Sequence, residues 1–273
     1  MKAGFVTLVG RPNVGKSSLA NAMVGTKVAI VSNKPQTTRT EGRGVLHRPG
    51  AQLVVSDTPG IHKPRTAFGQ RLNDTAMGAM GGGDTVVLVL DATAPVGAGD
   101  RFIASRVPPA TVVVVNKVDT ASRVQVVTQL VAAAGLELGE CFPVSARTGQ
   151  GVEALVDALV EGLPEGPALY PDGVVTELPE ADWVAELVRE QLLKVAREEL
   201  PHSIACRVVE WEWPRIRCEI LVERESQKPI VIGRGGSVLK AVGTAVRQTL
   251  PPGTYLELVV RVDPDWQRQL RSV

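Results

Sequence analysis

An α/β doubly wound sheet followed by a smaller α+β unit is the fold class that the sequence predicts, on three observations. Short valine-rich runs alternate with helix-period segments as far as residue 163. Pro164, Pro167, Pro171 and Pro179 then interrupt that alternation. Beyond them the order becomes helix, two strands, two helices and a strand, with a G-x-x-G turn between the last two helices. The 273 residues suit about two domains. The expected division is a first domain over 1–163, an extended linker over 164–180 and a second domain over 181–273.

The first strand, Ala3 to Val9, runs into GRPNVGKS at 10–17, and a helix-like run from Ser18 to Val24 leaves it and stops at Gly25. This is the G-x-x-x-x-G-K-[ST] phosphate loop with a strand before it and a helix after it. Gly10 and Gly15 let the backbone bend so that successive N–H groups face an anion, and the helix adds the positive end of its dipole. Lys16 can reach the outer phosphates, and the Ser17 hydroxyl can ligate Mg²⁺. The nucleotide-binding residues expected here are Gly10, Asn13, Val14, Gly15, Lys16, Ser17 and Ser18.

Residues 32–40, SNKPQTTRT, form a polar aperiodic loop before a strand near 42–48. A threonine in it, Thr38 with Thr37 as the alternative, can complete the Mg²⁺ shell beside a γ-phosphate. The next strand, 51–56, ends in Asp57-Thr58-Pro59-Gly60. Asp57 sits where it can hold Mg²⁺ through water, and the Gly60 N–H can approach a γ-phosphate. Lys16, Thr38, Asp57 and Gly60 are the expected catalytic set. Residues 61–83, rich in Gly, Lys, Arg and Thr, read as a mobile segment at their start.

Strands at 85–90, 111–115 and 141–144 follow. Between the last two, Val124, Val127, Leu130, Val131 and Ala134 recur at helical spacing, and Val152, Leu155, Val156, Leu159, Val160 and Leu163 do so after them. Strands alternating with helices give a parallel sheet, whose ligands lie at the carboxyl ends of the strands. Asn116-Lys117-Val118-Asp119 lies at one such end. A carboxylate at 119 accepts from the ring N–H and amine of guanine, and adenine presents the opposite pattern. Asn116 and the Lys117 stem hold the loop and cover the base. Ser145-Ala146-Arg147 can supply a backbone N–H to the guanine oxygen. The ordered set, each member at a strand end, selects GTP over ATP and makes the first domain a Mg²⁺-dependent GTPase.

In the second domain Asp182 can cap a helix with an apolar stripe at Val184, Leu187, Val188, Leu192 and Val195. Two alternating runs, 203–213 and 216–224, make a hairpin through Pro214-Arg215, with Trp211 and Trp213 expected to pack at its end and stacking on bases as the alternative. A short helix from Pro229, the turn Gly233-Arg234-Gly235-Gly236 and a helix starting at Ser237 then have the pattern of a KH module, here of type II order. The glycines let the turn press against a nucleic-acid backbone. Lys228, Arg234 and Lys240 add cations, and Ile230, Ile232, Val238 and Leu239 floor a groove for unstacked bases.

Composition agrees with a folded soluble chain, at 44% hydrophobic and 22% charged residues, and the net charge of +1 selects no partner class. The chain opens on its first strand, which leaves no space for a signal peptide, and no apolar run approaches ~18 residues. Cys141, Cys206 and Cys218 are scattered in strand-like runs and read as buried reduced thiols. His47, His62 and His202 have no metal-ligand spacing. A GTP-dependent scaffold for protein or membrane, or an RNA-modifying enzyme with a GTPase switch, are other function classes. No cysteine or carboxylate constellation supports the modifying enzyme.

GRPNVGKSSL, QTTR, DTPGIHKP, NKVD, SAR and the stretch 221–236 together resemble the Era family of bacterial GTPases, over essentially the whole chain. The resemblance implies a GTP-hydrolysing switch that binds the 3′ region of 16S ribosomal RNA through its KH domain and assists assembly of the small (30S) ribosomal subunit. It also implies a cytoplasmic monomer with peripheral association at the inner face of the cell membrane. Two departures from the wider GTPase pattern stand out. Ile61 replaces the water-orienting glutamine found after D-x-x-G in many GTPases, so slow intrinsic hydrolysis is expected. Asn13 resembles the residue that ligates K⁺ in some relatives with that replacement. The chain also ends soon after Trp266, which predicts a reduced terminal helix or tail contact.

Overall fold

In the computed structural model the chain is described over residues 1–64, 66–195 and 203–269. His202 and the last four residues of the tail lie outside the described residues. The chain forms two compact units, one ending at Glu177 and the other starting at Leu178.

The first unit is built on six strands: β1 (Lys2–Val9), β2 (Gly42–Arg48), β3 (Ala51–Asp57), β4 (Thr85–Asp91), β5 (Val112–Asn116) and β6 (Cys141–Pro143). Their spatial order is β2-β3-β1-β4-β5-β6, parallel throughout except for β2, which runs antiparallel to β3. The valine-rich runs read as strands because both faces are covered. Val87 and Val89 enter one apolar cluster, while Val86, Leu88 and Leu90 enter the cluster on the opposite face. Helices α1 (Lys16–Val24) and α5 (Val152–Gly162) cover the first face through Leu19, Met23, Leu155 and Leu159. Helices α2 (Ala67–Met80), α3 (Ala98–Ala104) and α4 (Arg123–Ala134) contribute Ala76, Ile103 and Ala133 to the second. Each buried Leu or Val side chain stabilises the sheet by about 1.5–3 kcal/mol.

The segment after Gly60 carries α2 from Ala67 onward, beyond the stretch read as mobile at its start, and the first turn of α2 is capped by Thr66 Oγ1 accepting the Gly69 N–H at 3.0 Å. Helix α4 forms, but Val124, Val127 and Val131 are exposed, and its inward row is Val126, Gln129, Leu130 and Ala133. Gln129 can lie buried because its Oε1 accepts the Val96 N–H at 3.0 Å. The proline-rich stretch is extended, yet much of it lies along the first unit. Val45 N–H donates to Val175 O at 2.9 Å, Thr176 Oγ1 donates to Arg43 O at 2.9 Å, and the buried Gln52 amide donates to Tyr170 O while accepting the N–H groups of Leu169 and Tyr170.

The second unit runs α6 (Glu180–Val195), β7 (Ile204–Glu212), β8 (Arg215–Val222), α7 (Lys228–Ile232), α8 (Ser237–Arg247), β9 (Tyr255–Val262) and α9 (Trp266–Gln269). Strands β7 and β8 are antiparallel, and β8 and β9 are parallel, in the order β7-β8-β9. Ile216, Cys218, Ile220 and Val222 alternate into one core with Val184, Leu187, Val188 and Leu192 of α6. Val195 of the expected stripe is exposed, and Asp182 lies inside the first turn, because the helix starts at Glu180. Trp211 and Trp213 are exposed at the hairpin end, contrary to the expected packing. Trp266, by contrast, is buried with Ala205 and Leu221. Cys218 is buried, and Cys141 and Cys206 are half-buried; all three are free thiols. Among the described residues no helix is long and apolar enough to cross a membrane.

Candidate functional site

The carboxyl ends of β1, β3, β5 and β6 bring the four sequence motifs of the first unit to one rim. There the phosphate loop, the loop after α1 and Gly60 border a cavity of about 350 Å³ that also reaches Lys117. Val14 is buried under the phosphate loop, and Ser18 lies on the cavity wall. Gly60 is required by close approach: a Cβ there would fall 2.6 Å from the Pro12 backbone. Lys16 is buried, and its ammonium donates to the carbonyls of Gly10 and Arg11 at 3.1 Å each. Burial lowers its pKa to about 8, against the opposing pull of Asp57. A cation so poorly solvated is well placed to take an anionic partner.

Next to Lys16, three oxygen-bearing side chains converge. Ser17 Oγ donates to Asp57 Oδ2 at 2.6 Å, Thr38 Oγ1 donates to the same oxygen at 3.1 Å, and the two hydroxyls lie 2.9 Å apart. Thr38 is therefore the threonine that reaches the cluster. Thr37 Oγ1 instead pairs with Ser32 Oγ and Lys34 O, both at 2.7 Å. Asp57 Oδ1 is buried with no hydrogen-bond partner, and burial raises the Asp57 pKa against the favourable neighbours Lys16, Ser17 and Thr38. An orphaned carboxylate oxygen beside two hydroxyls is a hard oxygen donor set, which suits Mg²⁺. Among the described residues no group of three or more His, Cys, Asp or Glu could hold a metal. A cation at Asp57 would therefore draw its remaining ligands from hydroxyls, water and a phosphate.

At the end of β5 Asn116 acts as a clasp. Its Nδ2 donates to Val14 O at 3.0 Å, and its Oδ1 accepts the N–H groups of Lys117 at 2.8 Å and Ala146 at 3.0 Å. Lys117 Nζ donates to Asn13 O and ion-pairs with Asp91 Oδ2, both at 2.6 Å. Asp119 is set by Ser145, whose Oγ donates to Oδ1 at 2.6 Å, and Arg147 Nη2 lies 2.5 Å from Oδ2. The Ser145 hydroxyl first, and then Arg147, hold the Asp119 carboxyl below its usual range.

The expected N–H donors of this last loop are engaged within the chain: Ser145 N–H on Gln150 O, and Ala146 N–H on Asn116. The sequence reading missed the Ser145 side chain, although a hydroxyl following a strand tip beside N-K-x-D was a visible signal. It also missed the backbone. Asn13, Gln36 and Lys117 have φ of 64°, 59° and 67°, and all three line the cavity. Left-handed backbone at non-glycine residues costs about 1–3 kcal/mol and clusters at functional sites.

In the second unit the turn 233–236 stands between α7 and α8. Gly233 has φ 76° and ψ 165°, and a Cβ there would meet Val238 N at 2.7 Å. No other residue fits that turn without moving α8. Arg234, Gly235 and Lys240 are exposed and Gly236 is half-buried, while Lys228 Nζ lies 3.3 Å from Glu225. Ile232, Val238 and Leu239 are half-buried beside the turn, and Ile230 is exposed. Val231 is the member of this run that enters the core.

Comparison with known proteins places each unit in a family. Residues 5–117 match the family described as 50S ribosome-binding GTPase, and residues 199–267 match the KH domain family. The chain is similar to GTPase Era of Mycobacterium sp. (strain KMS), 46% identical over 291 residues that cover 100% of this chain and 97% of the relative. It is equally similar to GTPase Era of Mycobacterium tuberculosis (strain CDC 1551 / Oshkosh), at 46% identity over 99% of this chain and 97% of the relative. Among solved structures, a point variant of Aquifex aeolicus Era bound to GDP.AlF4- superposes with a TM-score of 0.92 at 38% identity, over 99% of this chain and 97% of that one. A structure of Era in complex with MgGDPNP and nucleotides 1506–1542 of 16S ribosomal RNA gives the same TM-score and identity, over 99% and 96%.

Proposed function

The chain belongs to the Era family of GTPases, and from that premise we propose that it is a Mg²⁺-dependent GTP switch whose KH turn holds the 3′ region of 16S ribosomal RNA during assembly of the small subunit. The observation that carries the catalytic half is the cluster of Ser17, Thr38 and Asp57, with its orphaned carboxylate oxygen, beside the buried Lys16. The fold of the second unit and the RNA-bound relative support the other half.

The phosphate loop wraps the β- and γ-phosphates with its N–H groups and holds the Lys16 ammonium against the charge that builds there. Ser17, Thr38 and Asp57 would hold Mg²⁺, which would supply electrostatic stabilisation of the outer phosphates. Thr38 and Gly60 report the γ-phosphate because their loops meet it from two sides. Asp119 accepts from the guanine ring N–H and amine once Arg147 gives way, and Asn116 fixes the loops that carry both ends of the nucleotide. Ile61 is buried and gives hydrolysis no polar help, which supports a slow reaction.

Potassium is part of the proposal. Asn13 Nδ2 donates to Asn33 O at 3.2 Å, so the phosphate loop and the following polar loop already meet at the residue expected to ligate it. The experiment is RNA affinity of the full chain with GTP analogue, GDP and no nucleotide, beside a variant with Arg234 and Gly235 both replaced by aspartate. The variant is expected to weaken RNA binding on the order of tenfold or more by repelling the phosphate backbone, with nucleotide affinity unchanged. Full RNA affinity in that variant would move the RNA site elsewhere. Equal affinity in all three nucleotide states would leave two independent domains on one chain.

A further inference from the structure

Ile61 occupies the position of the water-orienting glutamine, and its side chain is turned into the apolar cluster that contains Val9, Val86 and Leu88. A polar group for the attacking water must then come from another part of the cavity. Gln36 lines that cavity, two residues before Thr38, on the loop between α1 and β2. Its backbone is left-handed, which a residue with a Cβ adopts only when its surroundings hold it there.

His62 is one of the groups that hold it. His62 Nδ1 lies 3.1 Å from Gly60 O, and Nε2 lies 3.3 Å from Gln36 Nε2. A carbonyl can only accept, so Nδ1 carries the ring proton, and Nε2 is the acceptor for the Gln36 amide N–H. The main chain of His62 is fixed in turn to α2: its N–H donates to Asn73 Oδ1 at 3.2 Å, and its carbonyl accepts from Asn73 Nδ2 at 2.6 Å. The amide nitrogen of Gln36 is thus committed to His62. That sets the amide plane, with the oxygen, an acceptor suited to a water proton, on its other edge.

We propose that Gln36 orients the attacking water and that His62 is the positioning residue that sets its amide. The inference rests on the GTPase reading above. In the reaction the water oxygen bonds to the γ-phosphorus, and the bond from that phosphorus to the β,γ-bridging oxygen breaks. The electron pair leaves on GDP, and one water proton passes to a phosphoryl oxygen, giving dihydrogen phosphate. Gln36 accepts a hydrogen bond from the other water proton and takes up no proton itself, so the chain supplies no general base. The glutamine absent after Gly60 is replaced by one from the other γ-phosphate-facing loop, and the water is ordered only when both loops are in place.

The test measures single-turnover GTP hydrolysis, GTP and GDP affinity, and formation of the GDP–tetrafluoroaluminate complex in Q36A, Q36M and H62A. Q36A and Q36M are expected to slow hydrolysis on the order of 10- to 100-fold and to lose the tetrafluoroaluminate complex, with nucleotide affinity within about twofold. Methionine keeps the length and removes the amide, so wild-type hydrolysis in Q36M would reduce the residue to bulk and overturn the inference. H62A is expected to slow the reaction by about tenfold, and the Q36A/H62A double variant to be no slower than Q36A, because the two act as a unit. Losses that multiply would overturn the role of His62. Unchanged hydrolysis in Q36A would overturn the inference with the GTPase reading intact. A wild-type chain that does not turn over GTP would overturn that reading, and the inference with it.

Discussion

The Asn116 carboxamide donates to the carbonyl of Val14 at 3.0 Å, so the end of β5 is tied directly to the phosphate loop. The same side chain accepts from Lys117 and Ala146 and is 1% exposed. Asn116→Ala strands those buried partners and is expected to cost about 2–4 kcal/mol of stability. Nucleotide affinity should fall as well, because all three loops lose their common anchor. Thermal unfolding and titration with a fluorescent GDP measure the two effects. An unchanged melting temperature would refute the clasp.

In the proposed guanine site, Asp119→Asn exchanges an acceptor for a donor opposite the base amine. GTP affinity is expected to fall on the order of 100-fold, and xanthosine triphosphate affinity to rise. The same change removes the ion pair with Arg147. Equal losses for both nucleotides would mean that the residue serves the loop and not the base.

As a member of the proposed nucleotide site, Lys16 should give it a pH dependence. In the free chain its pKa is lowered to about 8, and a bound phosphate raises it again. Below about 8 the ammonium is present before and after binding, and affinity is flat. Above about 8 binding takes up a proton, so affinity falls as pH rises, by up to about tenfold per pH unit. Without nucleotide the sign concerns folding: the folded value lies below the unfolded 10.5, so this group's contribution to stability grows as pH rises from about 8 to 10.5. Calorimetric titration with GDP near pH ~8.5 in two buffers of different ionisation heat should register proton uptake. Equal heats in the two buffers would contradict it.

Ile61 is a core residue, and its replacement reads out as stability. Ile61→Ala should cost about 2–5 kcal/mol through the cavity it leaves. At a temperature where the variant is folded, turnover should stay within about threefold of wild type, since the side chain does not meet the water. A large loss of turnover in a fully folded variant would assign Ile61 a direct role.

Much of the first unit could be read from sequence because its strands are buried on both faces, and buried strands leave continuous apolar runs. The readings failed where a polar side chain was satisfied in the interior. Gln129 occupies an inward position of α4, so the apolar pattern suggested the neighbouring row of Val124, Val127 and Val131, which faces water. The helix after Gly60 was hidden for a related reason: its composition is small and polar, and it is secured by the Thr66 cap and by Asn73 bonding to His62. Motif residues were legible because the proposed phosphate and guanine contacts constrain residue type directly. Their partners were less so: Ser145 beside Asp119, and His62 beside Gln36, are contacts between loops distant in the chain.

The stretch from Glu165 to Glu177 has a consequence for how the first unit can be made. Strand β2 is the edge of the six-stranded sheet, and Val175 and Thr176 bond to its residues Val45 and Arg43. His47 Nε2 lies 2.8 Å from Val174 O on the same margin. An uncovered edge strand is a template for pairing with another chain. A fragment cut at residue 163, the boundary that sequence periodicity suggests, would carry all the nucleotide motifs and an open ladder beside them, and it should self-associate. One ending at 177 should remain monodisperse. On the ribosome the same order applies: the sheet is synthesised complete before its cover, and the margin of β2 stays unguarded until those last residues leave the exit tunnel.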